Sequence, residues 1–167
     1  PNIVSEVKGL LQGELNVTGT PSKPTLNGAV SLLSGSAKIE LLGTHFAMEG
    51  PIKVDNDGFF INGIPVFDEE GNAGKLIGSV YHDNFNNFNF DLSLDLEDDA
   101  INKDPLQPWK ALPLESFLVL NSSYKPGDIY YGKGYVTGMV NVFGYTDNLE
   151  ITVDLETKKG TKINIPM

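Results

Sequence analysis

The sequence predicts an all-β protein, and three observations support this prediction. Apolar and polar residues alternate in many short segments, which places the two kinds on opposite faces of extended strands. Eighteen glycines and ten prolines are spread along the 167 residues and mark frequent turns. The apolar period of an amphipathic helix is nearly missing. We therefore expect about eleven short strands, with turn signals roughly every 8–15 residues.

The two clearest strands carry apolar residues at every second position. Polar residues occupy the intervening positions, and the apolar members are Phe88, Phe90, Leu92, Leu94 and Leu96, then Leu149, Ile151, Val153 and Leu155. Shorter alternations of the same kind predict further strands at residues 15–17, 26–32, 39–41, 52–54, 140–142 and 163–165. Each of these strands presents one apolar face and one polar face.

Polar segments predict the turns between the strands. Residues 55–58 (Asp-Asn-Asp-Gly) and 69–72 (Glu-Glu-Gly-Asn) each separate two apolar runs, as expected of tight hairpins. Residues 100–114 differ, because three prolines in this stretch exclude a regular strand or a long helix. We expect a loop there, with Trp109 packed against the rest of the protein.

The composition argues against several function classes. Twelve lysines and no arginine stand against 22 acidic residues, and the net charge is −10. Nucleic acid is an unfavourable partner, because phosphates need cations and base recognition favours arginine. An anionic membrane surface is disfavoured for the same reason. Without cysteine, the chain has no disulfides, thiolate nucleophiles or cysteine metal ligands.

Catalytic and metal-binding patterns are weak. The chain has two histidines, His45 and His82. His82 is followed by Asp83, but adjacent residues of a strand point to opposite faces, so a catalytic pair is disfavoured. Residues 55–58 resemble the start of a calcium loop, yet the twelfth position, which requires glutamate, is Val66. We predict neither an enzyme nor a bound metal or cofactor.

The repeated alternation predicts a continuous apolar surface on one side of a sheet. A second sheet could cover this surface in a sandwich, or the surface could line an open groove, and periodicity alone does not separate these cases. The candidate groove lining consists of Val30, Leu32, Ile39, Leu41, Phe88, Phe90, Leu92, Leu94, Leu96, Val140, Val142, Leu149, Ile151, Val153 and Leu155.

A cluster of aromatic residues leaves a second function open. Tyr130, Tyr131 and Tyr135 lie close together in the sequence and could form a sugar-binding platform with Trp109. A carbohydrate-binding β-sandwich is therefore an alternative. The simpler interpretation is that these tyrosines cover one face of a strand and keep their hydroxyl groups in water.

Several longer motifs carry a family resemblance. Residues 129–144 follow the pattern Ile-Tyr-Tyr-Gly-x-Gly-Tyr-x-Thr-Gly-x-Val-x-Val-x-Gly. Residues 147–151 (Asp-Asn-Leu-x-Ile) and 157–166 (Thr-x-x-Gly-Thr-x-Ile-x-Ile-Pro) come next, and residues 13–19 and 68–73 fit the same pattern upstream. In these elements the chain resembles the C-terminal region of TamB-type proteins, of the AsmA-like group of bridge proteins, in a form typical of Bacteroidetes.

The resemblance implies an elongated, curved β-sheet folded like a taco, with an apolar concave face and a wet convex face. It implies a periplasmic bridge that an N-terminal helix anchors in the inner membrane and that works with an outer-membrane partner of the Omp85 class. The implied roles are phospholipid transfer to the outer membrane and support of outer-membrane protein assembly. The motifs contain no catalytic residues, and residues 100–114 do not fit the pattern.

The chain begins with Pro1 instead of methionine, so we expect residues 1–167 to be a single β-groove segment of a longer repetitive protein. Flanking β-segments of the same chain would pair with its end strands. A second alternative function follows from such edges: a scaffold that passes on nascent outer-membrane strands by edge pairing. The sequence does not identify the lipid, the direction of transport or the partner chain.

Overall fold

The structure is a computed structural model that describes residues 4–40, 42–97 and 116–166. Within these ranges it contains ten strands and no helix, which confirms the all-β prediction. The strands are β1 (Val4–Thr20), β2 (Lys23–Ile39), β3 (Thr44–Asp55), β4 (Gly58–Phe67), β5 (Ala73–Asp83), β6 (Asn86–Asp95), β7 (Phe117–Ser122), β8 (Tyr131–Tyr145), β9 (Asn148–Thr157) and β10 (Lys162–Asn164).

All ten strands belong to one antiparallel, curved sheet that is not closed into a ring. Strands β1 to β6 pair in sequence order, and β6 pairs with the second half of β8. Strand β7 continues along the same edge of β8, past the end of β6, while β9 and β10 pair with the opposite edge. The flanks of the sheet are therefore β1 on one side and β9 with β10 on the other.

Several strands are longer than the sequence predicted, and β2 shows the reason. The predicted strand at 26–32 and the start of the one at 39–41 both belong to β2, which has 17 residues. An extra residue, Leu33, forms a β-bulge between Leu32 and Gly35, and pairing with β3 resumes beyond it. A bulge shifts the alternation by one residue, so Ile39 lies on the same face as Leu32. Leu41 lies outside the described residues, as do residues 100–114 with Trp109.

The two ends of the sheet have different architectures. At one end, called the upper end, four turns join β1 to β2, β3 to β4, β5 to β6, and β8 to β9. At the opposite, lower end lie the turns that join β2 to β3 and β4 to β5. Strand β7 also lies at the lower end, because it pairs with the first half of β8.

The hydrophobic core occupies the lower end, on the concave side of the sheet. Its buried centre consists of Val66, Leu96, Phe117 and Val136. The ring of Phe46 on β3 stacks on Phe117 of β7 with 5.8 Å between the ring centroids. Strands β3 and β7 are far apart in the strand order, so this contact requires the sheet to curl.

Hydrogen bonds to neighbouring elements also attach β7 to the lower end. The Asn121 backbone N–H donates to the Leu42 carbonyl at 3.2 Å, and the Thr44 hydroxyl donates to the Val119 carbonyl at 3.0 Å. The Leu118 backbone N–H donates to a carboxylate oxygen of the buried Asp68 at 2.7 Å. These bonds bridge the gap between β3 and β8.

The turn between β4 and β5 is organised by the same carboxylate. Asp68 Oδ1 accepts hydrogen bonds from the backbone N–H groups of Glu70 and Asn72, at 2.8 and 2.9 Å. Its Oδ2 accepts from the Asn72 side chain at 2.7 Å, in addition to the Leu118 bond. Each buried oxygen is therefore satisfied, as a buried charge requires.

We expect Phe117→Ala to lower the free energy of unfolding by about 3–5 kcal/mol, because it leaves a cavity in the core. Phe117 is 1% exposed, whereas Phe143 on the convex side is 57% exposed. Phe143→Ala should cost less than about 1 kcal/mol and serves as the matched control. Urea unfolding measures both, and equal losses would contradict a core centred on Phe117.

Candidate functional site

A continuous apolar surface, the concave face, crosses the sheet from β1 to β9. Around β6 and β8, Leu94 lies opposite Leu76 on one side and Val140 on the other. Val140 in turn lies opposite Val153 of β9. Directly opposed apolar side chains on one face of a sheet contact each other, so these rows form one surface.

The same face continues over β4, β3 and β2 to β1. Ile52 lies opposite Val30 and Ile61, and Leu32 lies opposite Leu11. Many members of this half were absent from the predicted lining, although the alternations at 15–17 and 52–54 had marked their strands. The additional members are Leu11, Leu15, Val17, Ile52, Val54, Phe59, Ile61, Leu76 and Val80.

Glycines explain the short Gly-x-Val motifs on this face. At Gly78, φ is +133°, and an added Cβ would lie 2.0 Å from the Asp91 carbonyl oxygen. At Gly138, φ is +126°, and an added Cβ would lie 2.2 Å from the Asp154 carbonyl oxygen. Only glycine fits where neighbouring backbones approach so closely. The motif glycines therefore allow neighbouring strands of the concave face to approach closely.

Accessibility of the concave face changes from the lower end to the flanks. Leu96 is buried in the core, and Leu94 and Leu155 pack against it. Most of the other predicted lining residues are half-buried: Val30, Leu32, Ile39, Phe88, Phe90, Leu92, Val140 and Val142. On the flanking strand β9, Leu149, Ile151 and Val153 are exposed, Ile151 to 61%. The opposite flank is similar, since Val17 on β1 is 60% exposed.

The convex side is mostly polar but not uniformly so. Asp91, Glu150 and Asp154 lie on it, as the alternation predicts. Ile77 and Phe143 are also exposed there. The convex face therefore carries a few exposed apolar side chains among its polar ones.

His45 forms a polar cluster on the outside of the lower end. Its Nδ1 lies 3.0 Å from Glu69 Oε1, and its Nε2 lies 3.4 Å from Glu6 Oε2. The hydrogen bond to Glu69, and then the one to Glu6, raises the pKa of His45. Burial pushes the pKa of Glu69 upward, but hydrogen bonds from Asn121 and His45 outweigh it, so the pKa of Glu69 is lowered.

His82 lies in a different environment, at the upper end. Its ring stacks on Phe85 at 4.5 Å and meets Phe59 and Phe88 edge-on. The Phe85 backbone N–H donates to His82 Nδ1 at 3.4 Å. The two histidines thus lie at opposite ends of the sheet. Over the ranges that the structure describes, no group of three or more acidic or histidine side chains could hold a metal ion.

Two tyrosines of the predicted sugar platform, Tyr131 and Tyr135, have different side-chain partners. The Tyr135 hydroxyl donates to Glu70, both of whose carboxylate oxygens lie 3.0 Å away, and Lys133 Nζ lies 2.8 Å from the same carboxylate. Tyr131 contacts Tyr124 with 5.3 Å between ring centroids. Tyr135 is therefore engaged in a polar contact with the β4–β5 turn.

Comparisons with protein-family models, curated proteins and solved structures found no match to this chain. In the part of the chain that the structure describes, no helix has the length and apolar character needed to cross a membrane.

We expect the His45 cluster to make stability depend on pH. The folded state raises the pKa of His45. The stabilisation that protonated His45 gives the folded state is therefore complete below about pH 6.5 and is lost as the pH rises through the folded-state pKa. Wild type should therefore be more stable than His45→Gln at about pH 6, and the two should converge near about pH 8.5. Urea unfolding at both values tests this, and a difference that does not change with pH would contradict it.

Proposed function

We propose that the chain is a segment of a periplasmic bridge protein that carries phospholipid acyl chains along its concave face between the inner and outer membranes. In this proposal the full-length protein is anchored in the inner membrane and supports outer-membrane assembly. One observation carries it: in the described part of the chain, no second layer covers the concave face beyond the lower end, and apolar residues such as Ile151 and Val17 are open to solvent.

The energetics of lipid transfer fit such a surface. Moving an acyl chain of about 14 methylenes through water costs about 0.8 kcal/mol per methylene, or about 11 kcal/mol in total. A surface of Leu, Ile, Val and Phe side chains removes much of this cost. Such side chains make no directional bonds to a guest, so a lipid can move along them without a deep energy minimum.

The dimensions of the sheet fit one segment of a longer bridge. Eight strands lie on the path from β1 to β9, so with roughly 4.8 Å between neighbours the face extends about 34 Å across the strands. The outer edges of β1 and β9 have no partner strand among the described residues. Flanking β-segments of the same chain would pair there, and a partner of the Omp85 class would receive the far end of the bridge.

Two alternatives remain. A scaffold that passes on nascent strands is favoured by the open edge of β1, which is 17 residues long. A carbohydrate-binding sandwich is less favoured, because the described strands form one sheet and Tyr135 is engaged with Glu70.

We expect Ile151→Asp to lower the amount of lipid that co-purifies with the protein by about threefold or more, because it places a charge on the concave face. Thr152→Asp is the matched control, since Thr152 is exposed on the other face of the same strand. Mass spectrometry of gently purified protein measures the bound lipid. Equal lipid content in the folded Ile151→Asp and Thr152→Asp variants would contradict lipid binding on the concave face.

A photo-crosslinking residue gives an independent measurement. At position 151 it should capture lipid, and at position 152 it should not, because adjacent residues of a strand face opposite sides. The scaffold alternative has a different outcome: Ile151→Asp would still capture an unfolded outer-membrane barrel protein, and the lipid yield would be the same at both positions.

A further inference from the structure

An open cavity of about 790 Å³, the upper notch, lies at the upper end between the β5–β6 turn and the β8–β9 turn. Aromatic and acidic side chains dominate its lining, which includes Tyr81, His82, Asp83, Phe88, Tyr145 and Asp147. Phe88 belongs to the predicted groove lining and Asp147 to the motif at residues 147–151, but no sequence pattern joined them into one site.

Two tyrosine rings lie on either side of β6 in the notch. Asn89 of β6 is in register with Tyr81 of β5 and with Tyr145 of β8. The two tyrosine backbones are thus two strand spacings apart, about 10 Å. Tyr81 is 41% exposed and Tyr145 is 52% exposed, and the shorter Asn89 lies between them. Both rings lie on the convex side, as Asn89 and Asp91 do, and Tyr81 also packs edge-on against Phe60 with 5.9 Å between the ring centroids. An ammonium group within about 6 Å of the exposed part of either ring makes a cation–π interaction.

The charges around the notch favour a cation. The described residues that line it include two aspartates, Asp83 and Asp147, and no lysine. Asp91 is exposed on the convex side of β6, two residues from Asn89. An isolated anion would meet only like charges here, whereas an ammonium group meets carboxylates and ring faces together.

The notch opens at the upper rim of the sheet, between the convex face of Tyr81 and Tyr145 and the concave face of Phe88. Phe88 lines the notch and is the first apolar residue of the β6 stripe that continues through Phe90 and Leu92.

His82 also lines the notch. Its Nδ1 accepts a hydrogen bond from the Phe85 backbone N–H, so in the neutral ring the proton is on Nε2. That Nε2 is buried and has no hydrogen-bond partner among the described residues. Because this nitrogen is buried, the His82 ring closes one wall of the notch and donates no hydrogen bond to a bound molecule.

We propose that the upper notch binds the ammonium group of a zwitterionic phospholipid headgroup, while an acyl chain lies along the concave face from Phe88 toward Leu92. This inference rests on the proposed function and specifies its substrate class. The carboxylates of Asp83 and Asp147 and the rings of Tyr81 and Tyr145 provide the selectivity.

The test is a competition between two lipids. The 167-residue chain is incubated with vesicles of equal parts phosphatidylethanolamine and phosphatidylglycerol with identical acyl chains, then re-isolated, and its bound lipid is quantified by mass spectrometry. We expect about fivefold enrichment of phosphatidylethanolamine, the size of effect that a cation–π contact near the surface produces. Asp83→Asn with Asp147→Asn, and separately Tyr81→Leu with Tyr145→Leu, should return the ratio to that of the vesicles without lowering total lipid.

Matched controls separate the notch from the overall negative charge. Glu14→Gln with Asp154→Asn removes the same charge from exposed positions on the two flanking strands and should keep the enrichment. Circular dichroism and thermal melting confirm that each variant is folded. Equal binding of both lipids by wild type, or an enrichment that survives the notch variants, would overturn this inference and leave lipid carriage intact.

Two further outcomes identify the source of the ammonium group. If wild type retains neither lipid, the proposed function fails and the lipid headgroup site fails with it. Phosphoethanolamine in solution, titrated by calorimetry, is the second probe. Binding of this soluble compound that depends on Asp83 and Asp147, together with no retained lipid, would overturn the lipid as the source and assign the notch to a soluble amine.

Discussion

The contact of β7 with β3 at the lower end is the interaction on which the rest of the structure depends. A single sheet cannot bury its apolar face unless another layer covers it or the sheet curls on itself. Here the stacked rings of Phe46 and Phe117 join strands that are distant in the sheet order. Within the described ranges, this contact forms a buried core without a second sheet, and the curvature of the concave face follows from it.

The side chains that form the buried core lie at the lower end, whereas the accessible apolar side chains of the concave face lie elsewhere on it. Val66, Leu96, Phe117 and Val136 are buried at the lower end, and the Asp68 carboxylate binds the backbone of both the β4–β5 turn and β7. Beyond the core, most described side chains of the concave face are half-buried or exposed, and Val54 near the upper end of β3 is a buried exception. Apolar surface that the fold does not need for its own packing is available to a guest.

Most ion pairs between described residues lie at the lower end. At the lower end, acidic groups have partners: Glu69 binds His45 and Asn121, and Glu70 binds Lys133 and Tyr135. At the upper end, Asp83 and Asp147 line an open notch that contains no lysine. Outside the notch the upper end also has an ion pair, Lys53 with Asp55 at 3.2 Å, so the lack of a neighbouring lysine is a property of the described notch lining and not of the whole upper end.

The sequence alone determined the fold class and the residues that share a face in β6 and β9, because an alternation of period two needs only local geometry. It did not determine that Ile39 faces the same side as Leu32, since that depends on the bulge at Leu33. Nor did it determine that Leu96 is buried whereas Ile151 is exposed, or that Tyr81 and Tyr145 flank the same strand. Only the tertiary structure decided these points, because burial and strand register depend on contacts between residues far apart in the chain, and alternation is the same for a covered face as for an open one.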